Sequence, residues 1–189
     1  SSKNKRLPLK YFLCLNLSEW LFNMILLPSP DDTDRLGQLL AQCLTKFRPN
    51  VVLQGFNIRL EGNLGAGKTS LTRATLRALG VTGRIKSPTF TLLETYPIDS
   101  EIEVFHFDFY RFETPEEFLD AGFRDNFGPG HITFCEWSEK AGECLPPADL
   151  TIELEPHDDG RSVQLSASSD LGVNVLSELK KQWPSPVEL

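Results

Sequence analysis

Eight consecutive residues carry the clearest chemistry in this chain. Gly62-Asn63-Leu64-Gly65-Ala66-Gly67-Lys68-Thr69 matches the pattern G-x-x-x-x-G-K-[ST]. Glycines at these spacings let the backbone curl so that successive N–H groups point inward at anionic oxygens. A helix that opens just after Gly67, with Ser70 in its first turn, aims the positive end of its dipole at the same anion. Lys68 is then placed to reach the β- and γ-phosphates of a nucleotide, and the Thr69 hydroxyl to ligate Mg²⁺. The residues 62–69 are therefore expected to bind a nucleoside triphosphate and magnesium.

Guanine-binding proteins of this kind carry an N-K-x-D segment. The only Asn-Lys pair here, Asn4-Lys5, is followed by Arg6-Leu7. ATP is the expected nucleotide.

A magnesium-dependent nucleotide site also needs carboxylates at strand ends, and two candidates stand out. In Val104-Phe105-His106-Phe107-Asp108-Phe109-Tyr110, alternation puts the three phenylalanines on one face and His106 with Asp108 on the other. In Ile132-Thr133-Phe134-Cys135-Glu136-Trp137, an apolar run ends in one carboxylate beside an indole. An acid closing a hydrophobic strand suits a metal ligand acting directly or through water; the plainer alternative is the polar end of a strand or a helix cap. Ser87-Pro88-Thr89-Phe90 begins nineteen residues after Lys68, where GTPases carry a switch that senses the γ-phosphate. Spacing alone favours a Ser-Pro turn there. His106 reads more readily as a buried, hydrogen-bonded histidine than as a catalytic base.

These residues need elements to hold them. The spacing predicts a helix over about 34–47, capped by Asp31, Asp32 or Thr33 and ended by Pro49 and Asn50. Residues 51–60 read as extended chain, with Gly55 marking a bend or hairpin break, leading into the glycine-rich loop. Ser70 to Leu79 reads as a helix closed by Gly80. Extended runs are expected over Phe90–Pro97 and Glu101–Tyr110, then a short helix beginning Pro115-Glu116-Glu117 behind Thr114. Strands follow at His131–Trp137, Asp149–Glu155 and Arg161–Ser168, and a last helix from Asp170 to Trp183, with Pro184 and Pro186 closing the chain. The fold class is α/β: a single P-loop NTPase-like domain, a mixed β-sheet flanked by helices.

Composition bounds the rest. The chain has 189 residues, 40% apolar and 24% charged, enough for one well-buried domain. Nothing approaches the roughly 20 consecutive apolar residues of a membrane span, and no membrane partner is expected. Of the net charge of −7, residues 1–23 hold a local +3, leaving −10 on the remainder. An acidic domain is a poor unaided ligand for nucleic acid, so work on RNA is expected to run through a protein partner. Cys14, Cys43, Cys135 and Cys144 show no metal-ligand spacing and read as reduced thiols of a cytoplasmic protein. The only methionine is Met24, and the apolar stretch before it is interrupted by Asn16 and Glu19. Residues 1–23 are expected to lie outside the working domain, as an upstream mis-start or added segment, and 24–189 to form the ATPase domain.

The ordered set GNLGAGKTSLTR, SPTFTLLETY, HFDFYR and FCEW resembles the TsaE (YjeE) family, bacterial P-loop ATPases of tRNA threonylcarbamoyladenosine synthesis. The similarity runs from about Leu27 to Leu179 and includes TDRLGQLLA before the loop and GRSVQLSASS near the end; residues 1–23 have no counterpart. The resemblance implies a cytoplasmic ATPase with weak activity alone. It would act with a TsaD–TsaB complex that modifies adenosine 37 of tRNAs reading codons that start with A, touching tRNA only through that complex. It implies Lys68 and Thr69 at phosphate and Mg²⁺, Glu136 as second metal ligand, and Asp108 supporting hydrolysis. It also implies Thr89 as a switch threonine, Trp137 beside the metal ligand, and Thr33 near the adenine. A small-molecule kinase and a nucleotide-gated scaffold without turnover are the alternatives.

Overall fold

The computed structural model describes residues 23–183. The expectation about residues 1–23 therefore falls, save for Asn23, outside the described residues, as do Cys14, Pro184 and Pro186. Among the described residues no helix is long and apolar enough to cross a membrane.

The strands are β1 (Met24–Leu27), β2 (Phe56–Glu61), β3 (Leu93–Pro97), β4 (Glu103–Asp108), β5 (His131–Glu136), β6 (Leu150–His157) and β7 (Gly160–Ala167). The helices are α1 (Pro30–Lys46), α2 (Arg48–Gln54), α3 (Lys68–Ala78), α4 (Glu116–Asp120) and α5 (Asp170–Gln182). All seven strands join one sheet in the order β1-β7-β6-β2-β5-β4-β3. The central strands β6, β2, β5 and β4 run parallel, while β1, β7 and β3 pair antiparallel at the two sides. This is the mixed sheet flanked by helices that the strand–loop–helix pattern implies.

The period-2 pattern of β4 decides which face does what. Phe105, Phe107 and Phe109 enter an aromatic core with Phe112 and Phe118, covered by α4 and the turn Phe123–Asn126. The opposite face of the sheet packs against α1, α3 and α5 through Leu36, Leu40, Leu71, Leu76, Val175 and Leu179. Helices α1 and α3 come unusually close at Gly37, where an added Cβ would stand 2.5 Å from the Cβ of Ala74 and 2.9 Å from the Thr75 nitrogen. A glycine at this point sets the seat of α3, and α3 carries the loop.

Three sequence expectations are corrected. Helix α1 starts earlier than 34: Ser29 precedes it, and its backbone N–H and hydroxyl both donate to the Asp32 carboxylate at 2.9 Å. Thr33 is buried inside the helix and does not cap it. Residues 51–54 are helical rather than extended, because the chain re-enters a helix at Arg48 with Pro49 in its first turn. Pro49 thus starts a helix instead of ending one. Val51 is buried there and its carbonyl accepts from Gly130 N–H at 3.0 Å, so tertiary packing outweighs the β-leaning Val-Val pair. Third, β3 begins only at Leu93: Leu92 has φ 65°, and its carbonyl accepts from Asp108 N–H at 3.1 Å, so Phe90–Leu92 form a turn.

Candidate functional site

The loop between β2 and α3 has the shape its glycines permit. Gly62, Gly65 and Gly67 have φ of 145°, 79° and 105°, all in the region that disfavours side chains. At Gly65 nothing lies within 4 Å of an added Cβ, so the loop wall is open there, and Leu64 beside it is 89% exposed. At Gly62 an added Cβ would strike the Leu154 carbonyl oxygen at 2.5 Å, so β6 packs directly on the loop. Ala66 N–H donates to Asn63 O at 3.0 Å, and Leu71 N–H to Gly67 O at 3.0 Å, which opens α3. Ser70 sits half-buried in that first turn, where the amides have no intrahelical acceptor.

Lys68 is only 5% exposed although it is a lysine. Its ammonium folds back on the loop, donating to Gly62 O at 2.5 Å and lying 4.3 Å from the centroid of the Trp137 ring. Trp137 itself has φ 56°, which turns the chain sharply after β5 and swings the indole over the lysine. Tyr110 flanks the indole at 5.0 Å between centroids.

The two strand-end carboxylates are register partners: Asp108 of β4 stands opposite Glu136 of β5. Glu136 is buried, and its Oε2 accepts from the Thr69 hydroxyl at 3.3 Å and contacts His106 Nε2 at 2.6 Å. His106 is fully buried, as its reading as a hydrogen-bonded core histidine expected. Asp108 turns to the other side of the pair. Its Oδ2 accepts from the Thr89 hydroxyl at 3.2 Å and its Oδ1 from Tyr110 N–H at 2.9 Å. Thr89 also shares a 2.9 Å hydrogen bond with Ser87.

The structure thus brings Lys68, Thr69, Glu136 and Trp137 into one contact set, and joins Thr89 to Asp108 beside it. The donor set suits Mg²⁺: a hydroxyl and a carboxylate are hard oxygen ligands, and magnesium completes its shell with water and phosphate. Among the described residues no group of three or more His, Cys, Asp or Glu is arranged to hold a metal ion. Thr33 lies apart, on the α1 side of the loop, where Arg161 Nη1 donates to its hydroxyl at 3.4 Å. Arg161 was not singled out from the sequence. It lies within the GRSVQLSASS stretch without a role read for it there, and the pairing of β7 with β1 and β6 carries it to the loop.

The family model described as "Threonylcarbamoyl adenosine biosynthesis protein TsaE" matches residues 27–163. The tRNA threonylcarbamoyladenosine biosynthesis protein TsaE of Haemophilus influenzae is 41% identical over 143 residues, 76% of this chain and 88% of that protein. Its namesake in Bacillus subtilis is 32% identical over 154 residues, covering 81% and 90%. Among solved structures, Bacillus subtilis YdiB superimposes with a TM-score of 0.61 at 27% identity, covering 84% of this chain and 93% of that one.

Proposed function

Starting from the fact that the chain belongs to the TsaE family, we propose that it is the ATP-binding and ATP-hydrolysing subunit needed for threonylcarbamoylation of adenosine 37 in tRNAs reading codons that start with A. It acts in the cytoplasm with a TsaD–TsaB complex and meets tRNA only through that complex. The observation that carries this reading is the convergence of Lys68, Thr69 and Glu136 on one glycine-rich turn at the ends of parallel strands.

In this reading Gly62, Asn63, Leu64, Gly65, Ala66 and Gly67 wrap their amides around the phosphates, joined by the first-turn amides of Lys68, Thr69 and Ser70. Lys68 leaves the Gly62 carbonyl for the β- and γ-phosphates. Thr69 and Glu136 would hold Mg²⁺, which when bound would neutralise charge on the phosphate oxygens. Trp137 shields the lysine from water and keeps it over the loop. Asp108 orients the attacking water, and its hydrogen bond to Thr89 ties that role to the Ser87–Thr89 turn. Leu64, at the loop, is in the open. Slow turnover alone, raised by partners, follows from that exposure.

Nucleoside analysis of tRNA after depletion of the protein tests the role, with loss of threonylcarbamoyladenosine expected and a normal level ruling it out. Phosphate release from ATP in water, stimulated by TsaD–TsaB, distinguishes this ATPase from a kinase, which needs an acceptor. ATP that stays intact in the full complex would instead make the protein a nucleotide-gated scaffold.

A further inference from the structure

The chain carries 26 acids against 19 lysines and arginines, yet no acid stands between Glu61 and Glu94. Cations do: Lys68, Arg73, Arg77, Arg84 and Lys86. Lys68 is buried at the loop, and the other four are exposed. Arg73 and Arg77 lie about one turn apart on the solvent face of α3. The Arg77 guanidinium clasps the turn that follows the helix. Its Nη1 donates to Val81 O at 3.0 Å and its Nη2 to Gly83 O at 2.6 Å. Ile85 is buried, and Lys86 N–H donates to the Tyr96 hydroxyl at 3.2 Å. Arg84 and Lys86 thus flank an anchored residue beside β3, the strand that ends the sheet.

Tyr96 shows that the helix pair and the turn meet in one place. Burial raises the pKa of its phenol, and the charges of Arg73 and Arg77 both act to lower it. The same oxygen receives the Lys86 amide. Exposed cations elsewhere find acids: Lys46 meets Glu178 at 2.8 Å, and Arg48 meets Asp99 at 2.7 Å and Glu101 at 3.0 Å. Among the described residues Arg73, Arg77, Arg84 and Lys86 form no ion pair. Glu94, where the acid-free stretch ends, accepts from the Thr91 hydroxyl at 3.0 Å. Like charges gathered on an anchored turn repel one another, and a complementary acidic surface relieves that repulsion.

We propose that Arg73, Arg77, Arg84 and Lys86 form a docking surface for an acidic face of a protein partner, at the β3 end of the sheet. A protein fits better than a nucleic acid. The chain as a whole is at −7, which opposes a long polyanion reaching beyond the patch. Tyr96, the aromatic at its centre, is buried and offers no ring for bases to stack on. The proposal rests on the reading of the chain as a subunit that acts with a TsaD–TsaB complex.

Binding kinetics of the full chain on an immobilised TsaD–TsaB complex, over a range of salt, provide the test. Arg73→Glu/Arg84→Glu spares Arg77, which braces the turn. It is expected to weaken binding about tenfold, chiefly through a slower association rate, and to flatten the salt dependence. Arg73→Gln/Arg84→Gln is expected to cost about threefold, and ATP affinity to stay within about twofold of wild type in both. Should the reversal unfold the chain, the glutamine pair decides by the same readout. Unchanged association and salt dependence in the variants overturn the proposal. An equal loss in Arg124→Glu, exposed beside the aromatic core, also overturns it, since net charge alone would then be sensed. Binding of the chain alone to tRNA, lost in the same variants, would give the patch to nucleic acid and overturn it too. If the wild-type chain does not bind TsaD–TsaB, the functional reading falls and the proposal with it, an outcome distinct from every variant result.

Discussion

The hydroxyl of Thr69, in the first turn of α3, donates to Oε2 of Glu136, the last residue of β5, at 3.3 Å. The two residues are 67 positions apart and meet because β5 lies beside β2, the strand that feeds the loop. The same Oε2 is held from below by His106 at 2.6 Å. The carboxylate is thereby held by two partners, Thr69 and His106. Glu136→Gln keeps shape and removes charge. Binding of ATP in the presence of a chelator is expected to stay within about twofold of wild type, while the gain on adding Mg²⁺ disappears. Paired titrations with and without Mg²⁺ check this, and a full Mg²⁺ gain in the variant would remove Glu136 from the metal site.

Lys68→Ala should weaken ATP strongly. Hydrogen bonds to charged groups contribute about 1.5–3 kcal/mol, so the loss is expected to be about ten- to a hundredfold. The fold should survive, because Leu71 N–H still closes the first turn on Gly67 O. Fluorescence titration with a labelled ATP analogue gives the answer, and an unchanged dissociation constant would count against the placement of the phosphates.

Asp108→Ala should spare binding and slow hydrolysis. Both carboxylate oxygens are engaged, one by Thr89 and one by Tyr110 N–H, so the group is positioned rather than mobile. A positioned residue of this kind contributes about 10²–10⁴ in rate. Single-turnover phosphate release in the presence of TsaD–TsaB measures it. Loss of ATP binding in the variant would instead make Asp108 structural.

Gly37→Ala tests the seat of α3. Alanine gains about 1 kcal/mol of helix propensity over glycine, but the new methyl group would meet Ala74 and the Thr75 backbone at 2.5 and 2.9 Å. Overpacking of a closed interface costs about 1–3 kcal/mol, and a backbone atom cannot move aside as a side chain can. A lowered melting temperature is expected, with ATP affinity falling as α3 is displaced. A higher melting temperature would show that the helices separate freely.

Cysteine labelling follows from burial. Burial pushes the Cys135 thiol up to about 12 and the Cys43 thiol up to about 11. Thiolate is the reactive form and appears only as pH approaches these values, so at pH 8 the Cys135 thiol stays protonated. Raising the pH from 7 to 9 should leave Cys43 and Cys135 unmodified in the folded chain, while the more accessible Cys144 reacts. Mass mapping of maleimide adducts, before and after unfolding, resolves each site.

Much of this protein is written locally. Residues 62–69 read as a candidate anion-binding turn because their glycines, lysine and threonine are neighbours in the chain. The alternation of Phe105, Phe107 and Phe109 against His106 and Asp108 likewise reads directly as two faces of one strand, and both faces are where that pattern puts them. Other features needed the tertiary structure. Val51-Val52-Leu53 lean towards strand by composition, yet a helix forms because Val51 is buried and its carbonyl is claimed by Gly130. The partnership of Thr69 with Glu136, and the placing of Arg161 on Gly67, depend on which strands lie side by side and in what register. Local periodicity encodes the face a side chain occupies. It carries no record of the neighbour across the sheet, since that choice is made by the packing energy of the whole core.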